Sequence, residues 1–276
     1  MVFKKILNIF LIVSLFSSFI FAKRSRLKRE TISVNKQVNN QDKKSQENKL
    51  LNNNIEYKYV IFDISNCFWE KTLYEVLMSL KKKIKFPVSG YLDLLSCGVS
   101  YAMGNLDAKK GYETLFKHMN KMSQAQVKEK CDLIWEQDCK NYIYKDADRL
   151  FNEYKKQGLK LILVDAGISE LYQEFLKIYK FDYVLVANLE YKNNLSTGKL
   201  VGEPSSGIHK YNMVKKLIEQ DLHGSLDQAI FYANSHNDIP LLEHVGKPMP
   251  VNPNKKLERF AKQKNWPILT FTELKK

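Results

Sequence analysis

One aspartate stands at the point where a buried strand ends. The run Tyr59–Phe62 is aromatic and β-branched, and it stops at Asp63 before a short polar turn. A parallel strand that ends in this way presents a carboxylate at its carboxyl edge, where ligands bind in open α/β sheets. A lone aspartate here is better explained as a turn or helix-cap residue. A chemical role for Asp63 therefore depends on what the other strands bring to the same edge.

The elements that must position Asp63 alternate between strands and helices. Strand patterns at 159–164, 183–187, 228–233, 248–251 and 267–269 are separated by helical patterns, and residues 188–202 indicate a hairpin. This alternation predicts an α/β fold with a doubly wound, parallel, Rossmann-type sheet. Residues 68–144 show helical periodicity instead, with Ser123 as a predicted N-cap. They predict an all-helical cap, at about 70–143, inserted after the first strand.

The N-terminal segment has the pattern of a targeting sequence. Lys4 and Lys5 precede an apolar stretch that ends at Ala22, and a basic cluster follows. We expect residues 1–29 to be a signal peptide or an uncleaved membrane anchor, and the side of the membrane stays open. Residues 30–56 are polar with few apolar residues, which predicts a disordered tether. The remaining chain, 57–276, is the predicted globular domain.

The positive charge of the chain does not indicate nucleic-acid binding. The net charge is +14, but seven of the basic residues lie within the first 29 positions, and no binding motif accompanies the rest. A hydrophobic content of 44% and an aromatic content of 12% are ordinary for a folded globular protein. We therefore expect no nucleic-acid partner, while a protein partner cannot be read from the sequence.

Two stretches carry a resemblance to a known family. They read STGKLVGEPSSGIHK and NDIPLLEHVGKPMPVNPNKKLERFAKQKNWPIL. With these stretches, residues 58–271 resemble the haloacid dehalogenase (HAD) superfamily, in particular its phosphoserine-phosphatase-like subgroup with a helical cap. The resemblance implies a hydrolase that acts on a small phosphomonoester through an aspartyl-phosphate, with Mg²⁺ as cofactor.

The resemblance also assigns roles to residues at the ends of different strands. Asp63 corresponds to the nucleophile, and Lys210 to the lysine that neutralises charge. Taken alone, Lys210 would be a solvated helix lysine and Asp238 a helix N-cap. The implied site comprises catalytic residues Asp63, Lys210 and Ser65, substrate-binding residues Asp165, Ala166 and Gly167, and metal ligands Asp63, Ser65, Asn234 and Asp238.

Three of these positions depart from the family pattern. Ser65 replaces the general acid, whose proton transfer is typically worth about 10²–10⁴-fold in rate. Asp165 replaces the Ser or Thr that binds the phosphoryl group and brings a like charge near Asp63. Asn234 replaces a charged metal ligand, so Mg²⁺ binding should be weak. The amides of Ala166 and Gly167, at the start of the next helix, remain candidates for binding an anion.

These departures leave three functions open. The first is a phosphomonoester hydrolase with weak activity. The second is a catalytically inactive HAD fold that binds a ligand or a protein. The third is a metal-independent dehalogenase-like hydrolase, because Ser235 and Asn237 beside Asp238 resemble that branch. The substrate cannot be read from the cap sequence.

Overall fold

The computed structural model describes residues 56–72, 75–76 and 108–275, all of them within the compact unit Ile55–Lys276. The predicted targeting segment at 1–29 and, except for its last residue, the predicted tether at 30–56 lie outside the described residues. Positions 73–74 and 77–107 of the predicted cap lie outside them too. In the part of the chain that is described, no helix is both long and apolar enough to cross a membrane.

A six-stranded sheet with the order β4-β3-β2-β1-β5-β6 forms the centre of the domain. Five strands run parallel, and β4 pairs antiparallel with β3 at one edge. The strands predicted at 59–62, 159–164, 183–187 and 228–233 are neighbours in this sheet and run parallel, as predicted. The strands are β1 (Tyr59–Phe62), β2 (Lys160–Ile168), β3 (Tyr183–Lys192), β4 (Leu195–Val201), β5 (Ala229–Ala233) and β6 (Lys247–Pro250).

Helices cover both faces of this sheet, as a doubly wound fold requires. The α-helices that the structure describes beyond residue 107 are α1 (Ala108–Phe116), α2 (Gln124–Ile134), α3 (Lys145–Lys156), α4 (Ser169–Ile178), α5 (Gly207–Lys215), α6 (Ile239–Leu242) and α7 (Lys255–Gln263). Short π-helical segments continue α2 to Cys139 and α5 to Asp221.

The side chains of β1 show how the two faces are separated. Val60 and Phe62 belong to one buried cluster, which α2, α3 and α4 complete. Tyr59 and Ile61 belong to a second cluster, which α5, α6 and α7 complete. Because successive side chains of a strand point to opposite faces, a continuous apolar run is buried on both sides. The predicted doubly wound α/β fold is confirmed.

Between Ala108 and Tyr142 the inserted segment is mainly helical. Ser123 caps α2 through a capping box with Gln126, which confirms the predicted N-cap. The two ends of the insertion lie side by side: the Glu70 amide donates to the Tyr142 carbonyl at 2.8 Å, and the Tyr144 amide donates to the Phe68 carbonyl at 2.9 Å. The insertion therefore leaves and rejoins the core at one place.

The β3–β4 hairpin also contacts the inserted helices. The Lys121 amide donates to the Ser196 carbonyl at 2.7 Å, and the Ser196 amide donates to the Met122 carbonyl at 2.8 Å. The turn of this hairpin contains Asn193 and Asn194, both with positive φ angles, as a type I′ turn requires. The predicted hairpin is thus present, and it joins the sheet edge to the segment before α2.

Two strand predictions need correction. The strand predicted at 159–164 continues to Ile168, with a register shift against β3 after Val164. The strand can continue past Asp165 because this carboxylate is hydrogen-bonded within the core. The strand predicted at 267–269 is reduced to one bridge between Val251 and Leu269, because Pro267 cannot donate a ladder hydrogen bond.

Candidate active site

Asp63 lies directly after β1, at the carboxyl edge of the sheet. Its backbone amide donates to the Tyr232 carbonyl of β5 at 2.9 Å, so the ladder holds the residue in register with the neighbouring strand. The residue is only 4% exposed. A carboxylate in such a place is fixed in position and largely removed from water.

Lys210 connects Asp63 to Asp238. Its Nζ atom lies 2.8 Å from Asp63 Oδ1 and 2.6 Å from Asp238 Oδ1. All three side chains are at most 5% exposed. Helix α5 supplies Lys210 from its first turn, three positions after Gly207, whose positive φ of 57° turns the chain into the helix. The two carboxylates and the ammonium group form one buried ion cluster.

The environment shifts the proton affinities of this cluster. Burial raises the pKa of Asp63 well above its usual range, and the negative charges of Asp238 and Asp165 add to the effect while Lys210 opposes it. Burial alone would lower the pKa of Lys210, but the charges of Asp238 and Asp63 outweigh it and raise that pKa. The surroundings therefore favour the protonated form of Lys210, and they oppose the ionisation of Asp63.

Asp165 is the third buried carboxylate at the sheet edge, and it faces several hydrogen-bond donors. Its Oδ1 accepts the Gly167 amide at 2.8 Å and the hydroxyl of Tyr172. Its Oδ2 accepts both the amide and the hydroxyl of Ser65, each at 3.4 Å. The carboxylate is thus bonded to groups from β2, from α4 and from the turn after β1.

The predicted anion-binding amides lie beside this carboxylate. Ala166 is 7% exposed, and both Ala166 and Gly167 belong to β2 rather than to the helix that follows. The Gly167 amide is used by Asp165. A Cβ atom at Gly167 would lie 2.3 Å from the Tyr172 hydroxyl, so only glycine permits this approach of the tyrosine.

The residues predicted to bind a metal surround the same edge. Asn234 follows β5 and is half-buried, while Asp238 is 2% exposed and its Oδ2 is buried without a hydrogen-bond partner. In the described ranges, no group of three or more His, Cys, Asp and Glu side chains is arranged to hold a metal. Carboxylate, amide and hydroxyl oxygens are nevertheless ligands of the type that Mg²⁺ prefers. The predicted metal ligands therefore fit Mg²⁺ in their chemistry, but Asn234 is neutral where the family has a charged ligand.

Sequence reasoning missed two tyrosines of this site. Tyr172, in α4, donates to Asp165 from seven positions downstream. Tyr112, in α1 of the inserted segment, interacts with Ser206, and burial and the charge of Asp165 raise its pKa. No motif identifies them, although Tyr172 lies on the apolar face of a predicted helix. Tyr112 brings the described part of the cap to the sheet edge.

An α/β sheet with a helical insertion after β1, and a lysine between two aspartates at its carboxyl edge, defines a class of capped hydrolase folds. The chain belongs to the haloacid dehalogenase-like hydrolase family, which matches residues 69–243. The matched region begins after Asp63 and includes Asp165, Lys210 and Asp238.

Individual relatives cover only part of the chain. It is 38% identical to a histidinol-phosphatase of Neisseria meningitidis over 77 residues. This aligned region covers 27% of this chain and 35% of that protein. It is 27% identical to phosphoserine phosphatase SerB1 of Mycobacterium tuberculosis over 139 residues. This aligned region covers 50% of this chain and 44% of that protein. The chain therefore aligns with less than half of the length of either relative.

Solved structures share the fold over a greater length. A protein of unknown function from Bordetella pertussis Tohama I has a TM-score of 0.68 at 19% identity, covering 78% of this chain and 98% of its own. A phosphoserine phosphatase, solved as a phospho-aspartyl intermediate analogue, has a TM-score of 0.57 at 14% identity, covering 78% of this chain and 93% of its own. At these identities the likeness establishes the fold, which is that of the phosphoserine-phosphatase-like members.

Proposed function

We propose that the chain is a phosphomonoester hydrolase of low turnover in which Asp63 is the nucleophile. The observation that carries this proposal is the buried ion cluster in which Lys210 bridges Asp63 and Asp238 at the sheet edge. A lysine in this place holds the attacking carboxylate and offers positive charge to a phosphoryl group. The substrate class is a small phosphorylated molecule that enters between the sheet edge and the cap.

The reaction makes separate demands on the residues. An oxygen of Asp63 attacks phosphorus, the bond from phosphorus to the ester oxygen breaks, and an aspartyl-phosphate forms. The departing oxygen needs a proton, and water must then hydrolyse the acyl phosphate. Ser65 stands where the family has the acid for both transfers, and a hydroxyl group has no suitable pKa near neutrality. This loss is worth about 10²–10⁴-fold in rate.

The metal site supports the same expectation. Asp63, Ser65, Asn234 and Asp238 would hold Mg²⁺, and the ion would supply charge neutralisation for the transferring phosphoryl group. Asn234 offers a neutral amide oxygen in place of a carboxylate, which lowers the affinity for a hard cation. We therefore expect hydrolysis to need millimolar rather than micromolar Mg²⁺.

A catalytically inactive, ligand-binding HAD fold is the second candidate. It is favoured by the hydrogen bonds that Asp165 accepts from Gly167, Tyr172 and Ser65. These donors lie at the edge where a phosphoryl group would have to bind, and a carboxylate already uses them. In this case the site is retained for its shape rather than for turnover.

The test is a panel of phosphomonoesters assayed with and without Mg²⁺. The wild-type chain is compared with Asp63→Asn and with the matched control Asp182→Asn, whose carboxylate accepts the Leu161 amide away from the site. We expect slow hydrolysis that requires Mg²⁺ and is abolished only by Asp63→Asn. Hydrolysis that survives Asp63→Asn would exclude Asp63 as the nucleophile. No hydrolysis of any substrate would favour the second candidate, and a covalent ester on Asp63 formed without metal would favour the dehalogenase-like alternative.

We further propose that residues 1–29 bring the chain to a membrane, either as a cleaved signal or as an anchor. The proposal is supported by the basic start and the apolar stretch of this segment. Fractionation of cells that express the full chain, compared with a chain lacking residues 1–29, tests it. The full chain should be found in the membrane or exported fraction, and equal distribution of both chains would contradict the proposal.

A further inference from the structure

We infer that Asp165 is a built-in anion that competes with phosphate for the donors of the phosphoryl-binding pocket, so that the wild-type chain binds inorganic phosphate weakly and binds it more tightly when this carboxylate is removed. The inference rests on the family of the chain and goes beyond the proposed function. It concerns which anion occupies the pocket and does not depend on turnover. Asp165 would be the residue that determines how tightly a phosphate group binds.

The first argument is the number and kind of donors. One carboxylate collects two backbone amides and two hydroxyl groups, from Ser65, Gly167 and Tyr172. Hydrogen bonds that converge on an oxyanion from backbone amides and hydroxyls are what an anion pocket consists of. These groups come from the turn after β1, from β2 and from α4, so the fold itself assembles the pocket.

The second argument is burial. Asp165 is 2% exposed and Tyr172 is fully buried. A buried carboxylate needs its donors, since an unpaired charge in the core is costly. The donors and the carboxylate therefore satisfy each other, and a phosphate ion could use these donors only by displacing a side chain that has nowhere more favourable to go.

The third argument is charge. Asp63, Asp165 and Asp238 set three acidic groups against the one ammonium group of Lys210, so acidic groups are in excess, and all four residues are at most 4% exposed. A phosphate dianion would add to this excess. Removing the charge of Asp165 leaves two carboxylates, one ammonium group and a set of unused donors, which is a setting that an anion can enter.

The alternative reading is that Asp165 only stabilises the fold. In that case its removal should weaken the protein without creating affinity for any anion. The two readings therefore differ in a binding measurement and not merely in stability.

The experiment measures binding of inorganic phosphate by isothermal titration calorimetry and by ³¹P line broadening, with and without Mg²⁺. Wild type is compared with Asp165→Ser, which restores the family's residue type, with Asp165→Asn, which keeps the shape but not the charge, and with Asp182→Asn as a matched control. We expect equally weak binding by wild type and by Asp182→Asn, with little saturation at millimolar phosphate. Asp165→Ser should bind at least about tenfold more tightly than wild type, since charge-assisted hydrogen bonds to a phosphate replace those to the carboxylate.

A further variant identifies the donors. Adding Tyr172→Phe to Asp165→Ser should remove much of the gained affinity, because the phosphate then loses a donor that Asp165 used before. Circular dichroism establishes that each variant is folded, and Asp165→Asn provides the answer if Asp165→Ser is not. Equal phosphate affinity in wild type and in the folded Asp165 variants would overturn the inference. A wild-type chain that hydrolyses no substrate would contradict the proposed function but would leave this result unchanged.

Discussion

Replacing Lys210 by methionine tests the energetic role of the buried ion cluster. The substitution keeps most of the aliphatic stem but removes the ammonium group that lies 2.8 Å from Asp63 and 2.6 Å from Asp238. Two carboxylates would then be left in the core without their cation. Breaking a buried ion pair by removing one partner costs about 3–5 kcal/mol. For a domain of this size, each kcal/mol lowers the melting temperature by about 2–4 °C, so a decrease of about 6–20 °C is expected.

A matched control lies on the same helix. Lys215 is 3.9 Å from Glu219, with side chains 45% and 38% exposed. An exposed pair of this kind contributes at most about 1 kcal/mol, so Lys215→Met should have little effect. Both variants are compared with wild type by urea titration at neutral pH, with EDTA present to exclude adventitious metal.

Two further measurements separate the electrostatic cost from lost packing. The deficit of Lys210→Met should shrink as the pH is lowered, because protonation of Asp63 removes one of the unpaired charges. Adding Asp238→Asn to Lys210→Met should recover part of the loss for the same reason. If Lys210→Met were no less stable than Lys215→Met, or if its deficit did not change with pH, the ion cluster would not have the role assigned to it.

Restoring the family's residues with Ser65→Asp, Asp165→Ser and Asn234→Asp should raise phosphomonoester turnover by more than the product of the single effects, since the three positions act as a unit. A folded triple variant that stays inert would show that these positions do not correspond to those of the family. With EDTA present, the free energy of unfolding of the wild type relative to that of Asp63→Asn should fall as the pH rises above about 4, because burial raises the pKa of Asp63 in the folded chain. The folded state then binds more protons than the unfolded state, and a slope unchanged in Asp63→Asn would contradict this assignment. Ser123→Ala, which removes the capping box of α2, should cost about 1 kcal/mol in urea titration, and an unchanged midpoint would mean that this cap contributes nothing.

Local pattern was sufficient for much of the sheet. The strand that ends before Asp63 is found with the predicted bounds, because it is a continuous apolar run with an unambiguous boundary. The strand predicted to end at Val164 continues to Ile168. It can do so because hydrogen bonds stabilise the Asp165 carboxylate inside the core. Such bonds cannot be inferred from the neighbouring residues alone.

The contacts within the site were harder to predict. Ser65 and Asp165 are one hundred positions apart, and only the pairing of β1 with β2 brings them together. The resemblance to the family suggested which strand ends would converge, but it could not indicate that Asp165 would take up the donors around it. Tyr172 illustrates the same limit, since its role depends on how far α4 lies from β2.

The hydrogen bonds between the β3–β4 hairpin and the segment before α2 restrict how the inserted helices can move. The Lys121 and Ser196 amides make these bonds at 2.7 and 2.8 Å, as two adjacent strands would. If the inserted helices rotate outward about the two ends of the insertion, either these two hydrogen bonds must break or the hairpin must move with the helices. Because β3 is paired with β2, the second course would twist the strand that holds Asp165. A movement of the inserted helices would therefore also change the position of Asp165. Slow hydrogen exchange at the Lys121 and Ser196 amides would indicate that these hydrogen bonds stay intact.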